Sequence, residues 1–142
     1  MTCQTRFLGL EAPQTGGTVL WAVFGVPVSE GAVFMKLRRE LAWPRAKFED
    51  AWVVVVDALK FQACWIATGE FSDVSNVPPA DWIYDGKYPR AAEKFALGRQ
   101  DPVPIITVYH RFDGGQFKIS MDDGVTRTMW LLTNGATDFP VL

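Results

Sequence analysis

The chain has 142 residues, a formal net charge of −2 and an isoelectric point near 5.3. Nearly half of its residues are apolar (49%) and 13% are aromatic, which excludes an intrinsically disordered chain and suffices for one hydrophobic core. The slight acidity excludes a broad basic surface of the kind that general nucleic-acid binders carry. We predict one domain over residues 1–142.

The sequence predicts a cytoplasmic protein without a metal or a cofactor. The N-terminal residues lack an apolar run long enough for a signal peptide, and no run approaches the roughly 20 residues that cross a bilayer. The two cysteines, Cys3 and Cys64, lack metal-ligand spacing, and the single histidine is His110. A reduced cytosolic chain is therefore expected.

Extended segments are predicted near the N-terminus, at residues 6–10 and 18–26, with the turn sequence A-P-Q-T-G-G between them. The second segment, T-V-L-W-A-V-F-G-V, is rich in β-branched and aromatic residues, which favours a buried strand. Residues 32–37 fit either a strand or the start of a helix.

The middle of the chain predicts a strand followed directly by a helix. Residues 52–56 form an unbroken β-branched and aromatic run, typical of a strand that is covered on both faces. Asp57 is then the N-cap of a helix over residues 58–68, which Gly69 ends. Cys64 lies inside this helix and is expected to pack as a small buried residue.

An irregular connection is predicted at residues 70–87. Connections of this length in a small domain are often functional, and this one contains Trp82 and Tyr84. One interpretation makes these aromatic residues anchors for a protein partner, and the other makes them a seal over the core. The sequence leaves both interpretations open.

A further helix is predicted at residues 90–97, because Pro89 suits a first turn and Gly98 suits a helix end. Its predicted packing face consists of Ala92, Phe95 and Ala96.

A hairpin is predicted next, with strands at residues 105–109 and 117–121 and the turn signal Asp113-Gly114. His110 and Arg111 then lie at the hairpin end of the first strand. We assign them as candidate partner-binding residues, although a lone histidine is more often an ordinary surface residue.

The last quarter of the chain predicts a helix and a short strand. Apolar residues at i, i+4 and i+7 give a helix over residues 125–132, with Asp123 as its N-cap. Asn134 and Gly135 end the helix, and residues 139–142 form the final strand.

The start of this last helix is a candidate anion site. The first helical N–H groups lack intrahelical partners and carry partial positive charge. The residues beside them are Gly124, Thr126, Arg127 and Thr128. Alternatively, Asp123 caps the helix and fills the pocket, while Arg127 pairs with Asp122 at the surface.

The order strand, D-G-x-x-R, apolar helix, N-G-A and F-P-V resembles the closing unit of the ParB/sulfiredoxin-like fold. Within that fold it is most similar to the plasmid fertility-inhibition factors of the Osa, Fip and FiwA type. The upstream sequence Y-P-R-A-A-E-K-F-A-L-G, followed by P-V-P-I-I-T-V, also resembles this group, so the similarity covers residues 84–142. The resemblance implies an α+β domain in which a small mixed sheet packs with about three helices.

Departures from the wider fold restrict the chemistry that the resemblance implies. Sulfiredoxins have a catalytic cysteine in G-C-H-R, whereas this chain has G-V-T-R, with Val125 in place of the cysteine. CTP-binding ParB proteins have G-E-R-R, and only Gly124 and Arg127 match that motif. Thiol repair chemistry and nucleotide gating are therefore not expected, while a phosphate site at Gly124 and Arg127 remains open.

The resemblance implies a bacterial, plasmid-encoded fertility-inhibition factor. Such a protein blocks the conjugative transfer of a co-resident plasmid by binding a component of its type IV secretion machinery, with the coupling protein as the expected partner. One alternative is a divalent-metal-dependent nuclease or NTPase that uses Asp123, Thr126 and Arg127. A second alternative is a ParB-like DNA-associated regulator.

Overall fold

The computed structural model describes residues 4–11, 21–38, 53–68 and 77–142. These residues form an α+β fold, as predicted, with eight strands and three α-helices. The strands are β1 (Arg6–Glu11), β2 (Trp21–Val28), β3 (Gly31–Arg38), β4 (Val54–Asp57), β5 (Val103–Pro104), β6 (Thr107–Asp113), β7 (Gln116–Asp123) and β8 (Asp138–Val141). The helices are α1 (Ala58–Thr68), α2 (Tyr88–Ala96) and α3 (Val125–Thr133), with 3₁₀ helices at Pro79–Tyr84 and Gly98–Gln100.

A mixed four-stranded sheet has the order β1-β2-β3-β5. Its first three strands are antiparallel, and β5 runs parallel to β3. Strands β4 and β8 form a second antiparallel pair, and β6 and β7 form a hairpin. Backbone bonds from Leu142 N to Ile106 O (2.8 Å) and from Val108 N to Leu142 O (3.0 Å) connect the end of β8 to the start of β6.

The predicted strands and helices are confirmed in most of the described residues. Of the two interpretations of residues 32–37, the strand is correct, because they belong to β3. The helix after Pro89 is also present, but its packing face is Ala91 and Phe95, which share one face at i and i+4. Ala96 is exposed. The predicted A-P-Q-T-G-G turn, residue Trp52 and the helix stop at Gly69 lie outside the described residues.

Strand β4 differs from its prediction of burial on both faces. Val54 and Val55 are 51% and 37% exposed, and β4 pairs only with β8 among the described strands. It is thus an edge strand within the described structure, and its β-branched run suits a half-buried strand as well as a fully buried one. This prediction was wrong.

Helix α1 begins where the sequence indicated. Asp57 Oδ1 accepts a hydrogen bond from the Lys60 backbone N–H at 2.9 Å, so Asp57 is the N-cap. Cys64 is half-buried within α1, and burial raises the pKa of its thiol, while a hydrogen bond with Thr68 lowers that pKa to a lesser extent. Because the thiolate is the nucleophilic form, this position suits packing better than reactivity.

The core centres on aromatic side chains from distant parts of the chain. The Trp65 ring of α1 lies 5.7 Å from the Trp82 ring, and Phe61 meets Phe139 edge to face at 5.2 Å. Trp82 is only 1% exposed. The interpretation of Trp82 as a seal over the core is therefore correct, and its assignment as a partner anchor was wrong.

Strand β8 holds the two ends of the described chain together. All four of its residues are buried. The Asp138 carboxylate accepts hydrogen bonds from Gln4 N and Thr5 N, each at 2.7 Å, and the Thr5 hydroxyl donates to Asp138 O at 3.2 Å. A buried carboxylate at the start of β8 therefore fixes the chain as it enters β1.

Substitution Asp138→Asn should lower the free energy of unfolding by about 1–3 kcal/mol, because the single amide oxygen cannot replace both carboxylate oxygens as acceptors for the N–H groups of Gln4 and the buried Thr5. Denaturant unfolding measures this change. Asp101→Asn is the control, since Asp101 is exposed and lies 3.4 Å from Lys36 Nζ; its loss should cost less than about 1 kcal/mol. Equal stability of Asp138→Asn and the unchanged chain would contradict the assigned role.

Candidate functional site

The β6–β7 hairpin leads directly into the predicted anion site. Gly114 and Gly115 turn the hairpin with φ of 59° and 79°, the left-handed pair that tight hairpins require. Strand β7 then runs to Asp123, and α3 begins at Val125. The hairpin signal in the sequence is thus confirmed.

The residue that caps α3 is Gly124, not Asp123. Gly124 has φ of 105° and, as the N-cap residue, makes no side-chain capping hydrogen bond. Asp123 is instead the last residue of β7. The prediction of Asp123 as N-cap was wrong, because the reversal between strand and helix requires a left-handed residue and glycine adopts that conformation readily.

Two side chains also pack closely around Gly124. A Cβ atom at this position would be 3.0 Å from Ile106 Cγ1 and 3.2 Å from Arg127 Nη2. Arg127 in turn donates a hydrogen bond from Nη1 to the Pro104 carbonyl. The small size of Gly124 therefore allows the Arg127 guanidinium to lie over the turn and to connect α3 with β5.

A cleft of about 520 Å³ opens between α2, β5 and the start of α3. We call it the basic cleft, because four of its ten described lining residues are cationic and none of these ten is a carboxylate. The lining residues are Lys87, Arg90, Ala91, Lys94, Val103, Pro104, Gly124, Val125, Thr126 and Arg127.

The cations of the basic cleft come from two walls. Lys87, Arg90 and Lys94 follow i, i+3 and i+7 spacing at the start and along one face of α2. Arg127 is on the opposite wall, in the first turn of α3, where the helix dipole adds partial positive charge. Like charges around one concavity repel one another, so an anion that enters the cleft relieves this repulsion.

The two helical walls are held together at both ends of α2. Phe95 stacks on Trp130 of α3 with ring centroids 4.4 Å apart and an interplanar angle of 22°. The Tyr88 hydroxyl lies 2.7 Å from Thr133 Oγ1 and accepts from Asn134 Nδ2 at 2.9 Å. This packing fixes the spacing of the two helices that carry the cations.

Three of the four predicted anion-binding residues line the cleft, namely Gly124, Thr126 and Arg127. The assignment of Thr128 was wrong. Thr128 is fully buried, and its hydroxyl donates to Gly124 O at 2.8 Å. The side chains of Asp122 and Asp123 lie outside the described residues, so neither the proposed Asp122–Arg127 pair nor a catalytic role of Asp123 is tested.

The prediction missed the three cations of the α2 wall. Their signal was present in the sequence K-Y-P-R-A-A-E-K, residues 87–94, as basic residues at helical spacing on an otherwise polar helix. Only the fold shows that this face turns towards α3.

The other predicted site residues are spread over the molecule. Tyr84 is 77% exposed at the end of the first 3₁₀ helix, so its partner role stays a prediction. His110 and Arg111 belong to β6, close to the hairpin turn, and their side chains are outside the described set. Within the described part of the chain no group of three His, Cys, Asp or Glu residues is placed to hold a metal ion. No helix there is long and apolar enough to span a membrane.

Comparison with known proteins finds a matching family model and a similar protein. The family model described as "Plasmid Fertility inhibition factor" matches residues 53–142, which include the whole basic cleft. "Protein osa" from Shigella flexneri is 37% identical over 91 residues, covering 64% of this chain and 48% of that protein. The chain thus matches about half of the length of this relative.

A solved structure is also similar. It is described as the crystal structure of Oncogenic Suppression Activity Protein, a plasmid fertility inhibition factor, in a gold(I) cyanide derivative. The TM-score is 0.69 at 32% sequence identity, and the alignment covers 94% of this chain and 69% of the other. The similarity therefore extends well beyond the residues that the family model matches.

Substitution Gly124→Ala should destabilise the chain more than Gly31→Ala does. Both glycines have similar positive φ, 105° and 116°, so both changes carry backbone strain of about 1–3 kcal/mol. A Cβ at Gly31 meets nothing within 4 Å, whereas one at Gly124 meets Ile106 and Arg127. We expect an additional loss of about 1 kcal/mol at Gly124 from crowding.

Thermal and denaturant unfolding of the two variants measure this difference. Equal destabilisation would show that Gly124 is required for its backbone conformation alone, and that the contact with Arg127 is not tight.

Proposed function

We propose, from the premise that this chain belongs to the plasmid fertility inhibition factor family, that it blocks conjugative transfer of a co-resident plasmid. The proposed mode of action is binding to a component of that plasmid's type IV secretion machinery, with the coupling protein as the target. The inhibitor would occupy a functional face of its partner in the cytoplasm of the donor cell.

The basic cleft is the observation that supports binding over turnover. Its described lining residues supply cations and apolar surface but include neither a carboxylate nor a histidine, the groups that most often act as general bases. The walls are preformed by the contacts of Phe95 with Trp130 and of Tyr88 with Thr133. A rigid, preorganised surface binds a partner at a lower entropic cost than a mobile one.

Inhibition by binding depends on the amount of inhibitor. If the chain is present at about ten times its Kd for the coupling protein, mass action leaves about a tenth of that target free. Donor cells that express the chain should then transfer the target plasmid about tenfold less often than control donors. A mating assay measures this frequency, and affinity purification from the same donors tests whether the coupling protein is retained. Normal transfer together with no retained coupling protein would contradict the proposal.

Tyr84 is the exposed aromatic residue predicted to contact the partner. Tyr84→Ala should leave the fold intact, because exposed substitutions usually change stability by less than about 0.5 kcal/mol. Loss of an aromatic anchor typically costs about 2 kcal/mol of binding, so retention of the coupling protein should fall at least about tenfold. Leu59→Ala, at a residue that is 78% exposed on α1, is the control. If both variants bind like the unchanged chain, Tyr84 is not a contact.

A second candidate function is phosphoester or nucleotide hydrolysis in the same cleft. Four cations beside a helix start are the kind of arrangement that binds phosphate groups. On this alternative, Arg127→Ala abolishes hydrolysis by the purified chain, while Lys60→Ala, which removes an exposed cation of α1, leaves hydrolysis unchanged. Inhibition of transfer without measurable hydrolysis by the unchanged chain would favour binding alone.

The alternative of a ParB-like DNA-associated regulator is tested by the salt dependence of DNA binding. Binding to DNA through phosphate contacts weakens steeply as the salt concentration rises. A flat salt response, or no binding to DNA at low salt, would remove this alternative.

A further inference from the structure

We propose that the basic cleft receives a short acidic segment of the partner protein in an extended conformation, with small apolar side chains between the acidic ones. This inference rests on the proposed function, because it names the part of the partner that the cleft recognises.

The charge of the cleft is local. The whole chain carries 14 Lys and Arg residues against 16 Asp and Glu residues, yet the described lining of the cleft holds four cations and no carboxylate. A duplex nucleic acid carries about one negative charge per 1.7 Å along its axis and would extend from the cleft across a net-negative surface. A short acidic segment confines its charge to the cleft, so the charge distribution favours the peptide.

The floor of the cleft is apolar. Ala91 and Val103 are 5% and 3% exposed, and Val125 is half-buried beside them. Lys87, Arg90 and Lys94 are exposed above this floor. An apolar floor below charged walls suits a ligand that presents both apolar and acidic groups, whereas inorganic phosphate would leave the floor without a complementary surface.

The length of the α2 wall matches that of a short extended peptide. From Lys87 to Lys94, α2 rises by about 10 Å, at roughly 1.5 Å per residue. Alternate side chains of an extended peptide are roughly 6.6 Å apart and point the same way, with the intervening ones on the opposite face. Two or three acidic side chains therefore match the length of the α2 wall, and the residues between them face the floor.

Arg127 is held at a fixed position on the opposite wall of the cleft. Its guanidinium donates to the Pro104 carbonyl and lies over Gly124, so it cannot fold away from the cleft without losing that bond. The three cations of α2 are the adaptable contacts, and Arg127 is the preorganised one.

The test is fluorescence anisotropy with two labelled peptides, one alternating Glu with Val and one alternating Gln with Val. The purified chain should bind the Glu peptide, and this binding should weaken as salt is added. The Gln peptide should bind about tenfold more weakly, because the ion pairs at two or three positions are lost.

The double variant Arg90→Ala/Lys94→Ala should weaken binding of the Glu peptide about tenfold. Its control is Arg6→Ala/Lys60→Ala, which removes two exposed cations outside the cleft and changes the net charge equally. Circular dichroism and thermal unfolding verify that both variants are folded. Equal binding of the two peptides, or equal losses in the two double variants, would overturn the inference. Displacement of the Glu peptide by tripolyphosphate or by a single-stranded oligonucleotide at lower concentration than by unlabelled Glu peptide would also overturn it.

Mating assays separate this inference from the proposed function. If the unchanged chain and Arg6→Ala/Lys60→Ala lower transfer and Arg90→Ala/Lys94→Ala does not, the proposed function and this inference both stand. If Arg90→Ala/Lys94→Ala loses peptide binding but inhibits fully, the cleft is not the partner site and the proposed function remains. If the unchanged chain does not lower transfer, the proposed function fails and the inference fails with it.

Discussion

The left-handed turn at Gly124 is the constraint on which the rest of the site depends. It lets β7 reverse into α3 within one residue, with Ile106 packed against one side and the Arg127 guanidinium over the other. Arg127 reaches the Pro104 carbonyl from this position, which joins the first turn of α3 to the strand that borders the cleft. A larger residue at Gly124 would displace both neighbours, and the wall formed by α3 would move with them.

The same C-terminal unit also organises the core. After α3, Asn134 accepts a backbone hydrogen bond from Ser29, and the wholly buried β8 pairs with β4 while its end bonds to Ile106. At the other end of β8, Asp138 holds the backbone of Gln4 and Thr5. The cleft is therefore built on a segment that contacts most layers of the fold. Sites on rigid elements of this kind hold their geometry better than sites on loops.

Local signals in the sequence were sufficient for most elements but not for their environment. Asp57 as a cap, the hairpin at Gly114 and the helix before Asn134 each rest on residues within a few positions, and all three are confirmed. The errors have a different cause. Trp82 is buried because α1 brings Trp65 against it, and such a contact between distant segments leaves no trace in local spacing.

The candidate site was predicted in part for the same reason. Gly124, Thr126 and Arg127 lie in one motif, so the sequence identified them together. Lys87, Arg90 and Lys94 lie at the start and along one face of α2, and the strands β5, β6 and β7 separate that helix from the motif. The packing of α2 on α3, which includes the stacking of Phe95 on Trp130, brings them to the same cleft. Three of the four cations of the cleft therefore could not be assigned to the site until the relative orientation of α2 and α3 was known.

In the proposed function, the preformed cationic surface obstructs its partner by occupancy. The most direct measurement is the cellular ratio of this chain to the coupling protein at which conjugative transfer falls to half. Occupancy predicts a ratio near or above equimolar that shifts in proportion when the coupling protein is overproduced. Half-inhibition at a small fraction of equimolar, unaffected by the amount of coupling protein, would contradict occupancy and point to turnover.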